Sequence, residues 1–182
     1  MTSPGTDSDL IARVVSGDRN AFNELMRAHE DRVFSVCLRI MGDREKALDA
    51  AQETFLTLFR KAGQFKGESA LGTWIYRIAV NTCYDQLRKA KRRPSEHLPD
   101  HVDPSDPSAE DAMESAALRP DIEEALKALP AEFRAAVVLS DLEGLSMPET
   151  ANALGIPVGT VKSRVFRGRR LLAKKLGNQT AS

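Results

Sequence analysis

The chain has 182 residues and balances 26 Lys and Arg against 26 Asp and Glu. Its apolar runs are short and broken by charge, so none approaches the roughly 20 residues that span a bilayer, and "MTSPGTDSDL" has neither the basic start nor the apolar core of a secretion signal. A cytoplasmic protein of one medium or two small domains is expected. The first expected helix lies in "SDLIARVVSG", where Leu10 and Val14 stand four apart and Gly17 ends the pattern. A second starts near Asn20. Phe22, Leu25, Met26, His29, Val33, Val36 and Ile40 recur at mostly three and four residues and define its buried face. Gly42 and Asp43 separate it from a third helix that should bury Ala47, Ala51, Phe55, Leu58 and Phe59. "GQFKGES" reads as a loop, broken at Gly63 and Gly67. A long helix follows from about Leu71 to Arg92. Cys37 and Cys83 sit in apolar-periodic segments and are expected as small core residues, since a reducing compartment disfavours a disulfide.

The charge is arranged in blocks. "RKAKRR", Arg88 to Arg93, is basic. From Pro94 to Leu118 the chain carries Glu96, Asp100, Asp103, Asp106, Glu110, Asp111 and Glu114 without one Lys or Arg. That stretch is rich in Pro, Ser and Asp and lacks a sustained apolar period. It cannot bury enough apolar surface to offset its ordering entropy and is expected to be a flexible linker. The chain therefore divides into residues 1–93, an acidic linker 94–118, and residues 119–182. Nothing alternates with period two for long enough to be a strand, so the fold class is all-α: two small helical domains.

In the last third, "DIEEALKALP" offers Ile122, Leu126 and Leu129, and Pro130 stops it. "AEFRAAVVLSDLEG" offers Phe133, Val137, Val138 and Leu142. Ser146 and Glu149 then have capping-box spacing, with Pro148 in the first turn. Ala151 and Leu154 form the inner face of a short helix, Gly155 makes a tight turn, Ile156 plugs the gap and Pro157 opens the next helix. This is the pattern of a helix-turn-helix. In the second helix Val161, Val165 and Leu172 should face inward, and Lys162, Ser163, Phe166, Arg167 and Arg170 outward. No acidic residue occurs from Gly155 onward. Cations for phosphates and guanine edges, a hydroxyl and an apolar group for thymine methyl are what a DNA-reading helix needs.

"LGIPVGTVKSRVFRGRRLL" strongly resembles the −35-reading motif of extracytoplasmic-function sigma factors of bacterial RNA polymerase, group 4 of the sigma-70 family. "DAAQETFLTLFRKAGQFKGESALGTWIYRIAVNTCYDQLRKAKRR" independently resembles the family's polymerase-binding and −10-reading segment, so the resemblance covers nearly the whole chain. It implies that Asp49, Gln52, Glu53 and Phe55 dock on the clamp helices of the polymerase's largest subunit; core packing is the other reading of Phe55. It places Trp74, Tyr76, Arg77, Asn81 and Asp85 in the segment that reads the −10 element as separated strand, with Arg88, Lys89, Lys91, Arg92 and Arg93 along that strand or the upstream duplex. A flipped base needs amide or carbonyl partners, which Asn81 supplies, whereas half-buried core suits Trp74 better than a base wedge. The −35 set is Lys162, Ser163, Arg164, Phe166, Arg167 and Arg170. The implied partners are core RNA polymerase, promoter DNA and, commonly in the family, an anti-sigma factor. The acidic linker is either an RNA mimic in a polymerase channel or a solubilising spacer.

Two other classes compete. A stand-alone helix-turn-helix regulator would typically dimerise and read a palindrome, but its partner domain would show strands or a pocket pattern instead of helices ending in a basic segment. An enzyme has little to work with. His29, His97 and His101 are the only histidines, "HLPDH" lies in the Pro-broken linker, and no phosphate-cradling glycine loop or zinc-type cysteine spacing occurs. No cofactor, metal site or catalytic residue is expected.

Overall fold

The computed structural model describes residues 4–92 and 119–179. The acidic linker, Arg93, His97 and His101 lie outside them. Among the described residues all regular structure is helical. The first half holds α1 (Pro4–Val15), α2 (Arg19–Met41), α3 (Arg44–Lys61) with a 3-10 turn at Ala62–Gln64, and α4 (Leu71–Arg92). The second half holds α5 (Pro120–Lys127), α6 (Ala131–Val137), which runs into a π-helical turn at Val138–Leu142, α7 (Met147–Leu154) and α8 (Val158–Gln179).

Local chemistry sets the boundaries. The Asp18 carboxylate accepts from the N–H groups of Asn20 and Ala21 at 2.9 and 3.2 Å, which caps α2. Gly42, at φ 69°, closes α2 with its N–H on the Leu38 carbonyl, and Asp43 at once caps α3 through the Lys46 N–H at 3.0 Å. Helices α2, α3 and α4 pack around Leu25, Val36, Ile40, Leu58, Leu71 and Ile75, all fully buried. Phe59 departs from its expected burial: it is 54% exposed and sets its ring edge-on to Phe22 at 5.2 Å. The buried stripe of α3 is narrow because small Ala47, Ala50 and Ala51 let α2 approach closely, so the next position around the helix falls outside it.

Cys37 and Cys83 are both fully buried, and the Cys37 thiol is pushed well up by its contact with Cys83 and by burial. A buried thiol held protonated is a poor nucleophile. Neither cysteine should react with an aromatic disulfide reagent at neutral pH until the chain is unfolded. Rapid labelling of the native protein would contradict this packing.

In the second half the capping box forms as the spacing requires: the Ser146 hydroxyl accepts from the Glu149 N–H at 3.2 Å, and the Ser146 N–H donates to Glu149 Oε2 at 2.8 Å. Gly155 adopts φ 65° and links α7 to α8. Val161 and Val165 are buried against Ala136 and Ala151. Gly168 continues that inner stripe, because a Cβ there would lie 2.6 Å from Val137 Cγ2 and 3.4 Å from the Phe133 carbonyl oxygen. Gly168→Ala should therefore destabilise this half by about 1–3 kcal/mol through overpacking, despite its gain in helix propensity. A thermal melt reads this directly, and an unchanged or raised midpoint would mean that α8 sits further from α6.

The two halves touch. Helix α7 packs along α4, and α5 and α6 lie on α2. The Arg134 guanidinium joins them: Nη1 donates to the Ile40 carbonyl, and Nη2 to the carbonyls of Lys127 and Leu129 at 2.9 and 2.8 Å.

Candidate functional site

Helix α8 presents the outer face its period predicts. Lys162, Ser163, Phe166, Arg167 and Arg170 are all exposed, Phe166 to 62%, and the Arg170 guanidinium lies 5.9 Å from the centre of the Phe166 ring. A cation over an exposed ring pre-orients both groups toward whatever approaches that face. Two arginines point elsewhere. Arg164, one of the −35 set, lies on the inner side, 3.4 Å from Glu132 with its side chain 23% exposed. Arg169 makes a two-pronged bond to Asp141 at 2.9 and 2.6 Å, which holds the Asp141 carboxyl below its ordinary range. These two cations bind the domain together, and the outer five remain for a ligand.

A second concavity, about 650 Å³, lies between α3 and α4. Asp49, Gln52 and Glu53 line its α3 wall, and Asn81, Asp85 and Lys89 its α4 wall. The expected polymerase-docking and −10-reading residues thus share one groove. Within it Glu53 pairs with Arg60 at 3.4 Å, and Asp85 pairs with Arg88 one turn on. Asn81 is exposed and, among the described residues, makes no side-chain bond that would compete with a base.

The rest of the −10 set faces other ways. Trp74 is half-buried against Phe65, ring centres 5.2 Å apart, and brackets the loop that carries Lys66–Ser69. Tyr76 is 6% exposed and donates its hydroxyl to Glu143 Oε2 at 2.9 Å. Its pKa is raised by burial and by the Glu143 charge, so the hydroxyl stays a donor. Arg77 is exposed but lies at the turn of the helix-turn-helix: a Cβ on Gly155 would stand 3.7 Å from its Nη2.

Beside the polar groove runs an apolar one of about 470 Å³, between α2 and α3. Phe22, Met26, Phe34, Leu48, Phe55 and Leu56 line it, with Glu30, Asp31 and Gln52 at the rim. Phe55, at 6% exposure, is its floor and part of the core, while Leu48 and Leu56 are 43% and 52% exposed. Sequence reasoning missed these two leucines. The signal was present: Leu48, Gln52 and Leu56 form an i, i+4, i+8 strip that lies off the buried face of α3.

Known proteins are similar to this chain. The model of sigma-70 region 2 matches residues 25–93, and that of sigma-70 region 4 matches residues 119–172. Over 172 residues the chain is 41% identical to the ECF RNA polymerase sigma factor SigM of Mycobacterium tuberculosis, spanning 94% of this chain and 85% of that protein. It is 37% identical to the RNA polymerase sigma-H factor of Pseudomonas aeruginosa, spanning 97% and 96%. The chain belongs to the extracytoplasmic-function family of RNA polymerase sigma factors. It is a sigma factor that directs promoter-specific initiation of transcription. Its fold matches that of the sigma factor RpoE of Bartonella quintana, solved with the anti-sigma factor NepR, at TM-score 0.69 and 26% identity over 86% of this chain and 96% of that one. Among the described residues of this sigma factor, no helix is long and apolar enough to cross a membrane.

Proposed function

We propose that residues 1–93 of this sigma factor bind core RNA polymerase and read the −10 element, that residues 119–182 read the −35 element, and that 94–118 connect them. The observation that carries this reading is the meeting of docking candidates on α3 with base-reading candidates on α4 across one groove, separate from the acid-free outer face of α8. A helix of the polymerase lies in the apolar groove over Phe55, gripped by Leu48 and Leu56, with Asp49, Gln52 and Glu53 fixing its register. Asn81 takes a base from the separated strand. Arg88, Lys89 and Arg92 follow the backbone. Lys162, Ser163, Phe166, Arg167 and Arg170 enter the −35 major groove, and Arg164 supports α8 from behind. The protein acts in the cytoplasm and does no bond chemistry of its own; the polymerase supplies that. An anti-sigma factor is a further partner, one that would compete for the same exposed leucines.

The two readers should be separable. Asn81→Ala should weaken use of the −10 element, and Arg167→Ala binding of the −35 element, each by about 1–3 kcal/mol. Footprinting of the holoenzyme on promoters altered in one element at a time measures this. Equal loss on every template from both variants would overturn the assignment.

A further inference from the structure

Helix α1 lies ahead of the segment that the region 2 model matches. Asp7, in its first turn, is 8% exposed, and its carboxylate accepts no hydrogen bond among the described residues. A carboxylate this buried needs a favourable charge nearby. Asp7 and Ser8 line a concavity of about 320 Å³ whose other wall is the loop 65–70 and Leu71, the first residue of α4. The first turn of a helix is its positive end, so the start of α4 is the charge that Asp7 faces. From α2, the His29 ring covers Gly72, the second residue of α4: a Cβ there would stand 3.9 Å from its Cε1.

The loop between α3 and α4 has little other support. Lys66, Gly67, Glu68 and Ala70 are exposed, and a Cβ on Gly67, at φ 70°, would meet nothing within 4 Å. A second concavity, about 390 Å³, separates the first part of the loop from Ile11 and Val15 of α1. The loop is fixed at its ends, by Phe65 on Trp74 and by the fully buried Leu71. What holds the Leu71 end therefore sets where the loop stands and how α4 begins. The charge on His29 matters at this point. Burial lowers the pKa of the ring, Asp7 opposes that from α1, and Arg32, one turn on in α2, adds to it. From α4 the ring meets Gly72 and the helix's positive end. Neutral imidazole is the form that fits, because a proton would add a cation to that end beside Arg32.

We infer that Asp7 and neutral His29 are positioning residues for −10 reading: together they set the start of α4, and with it the loop and the base-reading face that follows. The inference rests on the −10 reading of α4. The pair acts through the helix and not on the strand. In the competent arrangement the ring binds a proton less readily than a hydrated imidazole does. Opening of the −10 element should therefore fall as pH drops below the ordinary imidazole value of about 6.5. Asp7→Asn removes both the charge that faces the start of α4 and the one that favours a protonated ring. It should lower opening about three- to tenfold at neutral pH.

The test uses the holoenzyme on a promoter with both elements, from about pH 5 to about pH 8. Permanganate reactivity of unpaired thymines scores −10 opening, footprinting scores −35 occupancy, and the ratio of the two is the readout. His29→Gln cannot titrate and keeps His97 and His101, so it should flatten the fall of this ratio with acid. Asp7→Asn should lower the ratio throughout. In the full chain without polymerase, the His29 titration is followed by NMR as the imidazole signal missing from His29→Gln, and it should move down in Asp7→Asn. Should one variant prove unfolded by circular dichroism, the other decides. A wild-type pH profile in folded His29→Gln, or an unchanged ratio or unmoved His29 titration in folded Asp7→Asn, overturns the inference. A wild-type holoenzyme that occupies the −35 element and opens no promoter at any pH removes the −10 reading itself, and the inference with it.

Discussion

Glutamate at both Leu48 and Leu56 should abolish co-migration with core RNA polymerase while leaving the free protein folded. Both side chains are about half exposed in the free protein, so the fold depends on them little. Surface substitutions of this kind change stability by about 0.5 kcal/mol or less. In the complex each leucine would be fully buried, and burial of one leucine is worth about 1.5–3 kcal/mol. Only the exposed half of each is newly buried, so losing two removes roughly 2 kcal/mol, or about thirtyfold in affinity. The carboxylates add a desolvation penalty on top, since neither finds a partner in an apolar groove already rimmed by Glu30 and Asp31. Val15→Glu is the control. It is equally exposed, at 55%, but lies on α1, away from the groove. Sizing chromatography and a melting curve on the same samples separate docking from folding. Retained co-migration by the folded double variant would mean that polymerase uses another face.

Replacing Lys162, Arg167 and Arg170 with glutamine should weaken holoenzyme binding to a −35-dependent promoter by two to three orders of magnitude at low salt. Each cation that meets a phosphate releases about one counterion, so removing three should flatten the salt dependence by about 3 in the log–log slope. Part of the loss is specific, because a bidentate arginine on guanine is worth about 1–3 kcal/mol by itself. Arg169→Gln makes the same formal charge change as any one of these three and has a different consequence. That guanidinium is committed to Asp141, so its loss should lower the melting temperature of the second half and leave the salt slope nearly intact. If all four substitutions flatten the slope alike, the outer face of α8 is a diffuse cationic surface and not a reading head.

Much of this was legible in the sequence because it depended on near neighbours. Ser146 and Glu149 specify a capping box within four residues, Gly155 specifies a left-handed turn, and Val161 and Val165 specify which side of α8 is inside. The α4 limits, Leu71 and Arg92, follow from the loop before it and the basic end after it. What escaped depends on residues far apart in the chain. Period puts Phe59 in the core, yet alanines on α3 narrow the buried stripe. Resemblance puts Tyr76 among the −10 readers, and its Glu143 partner stands 67 positions away. Arg164 and Arg169 look like their neighbours on a cationic helix. Only the acids opposite them, Glu132 and Asp141, show that they hold the domain together. The π-helical turn has no pattern in the sequence, since Val138–Leu142 reads as a continuation of α6.

The most direct test of the central claim is run-off transcription on a promoter library with purified core RNA polymerase, with and without this protein. Core enzyme alone should give no promoter-specific transcript. Adding the protein should yield discrete transcripts from a subset of templates that share a −35 and a −10 element, and Leu48→Glu/Leu56→Glu should yield none. An absence of transcripts from every template, together with tight binding of the protein alone to palindromic DNA, would contradict the account.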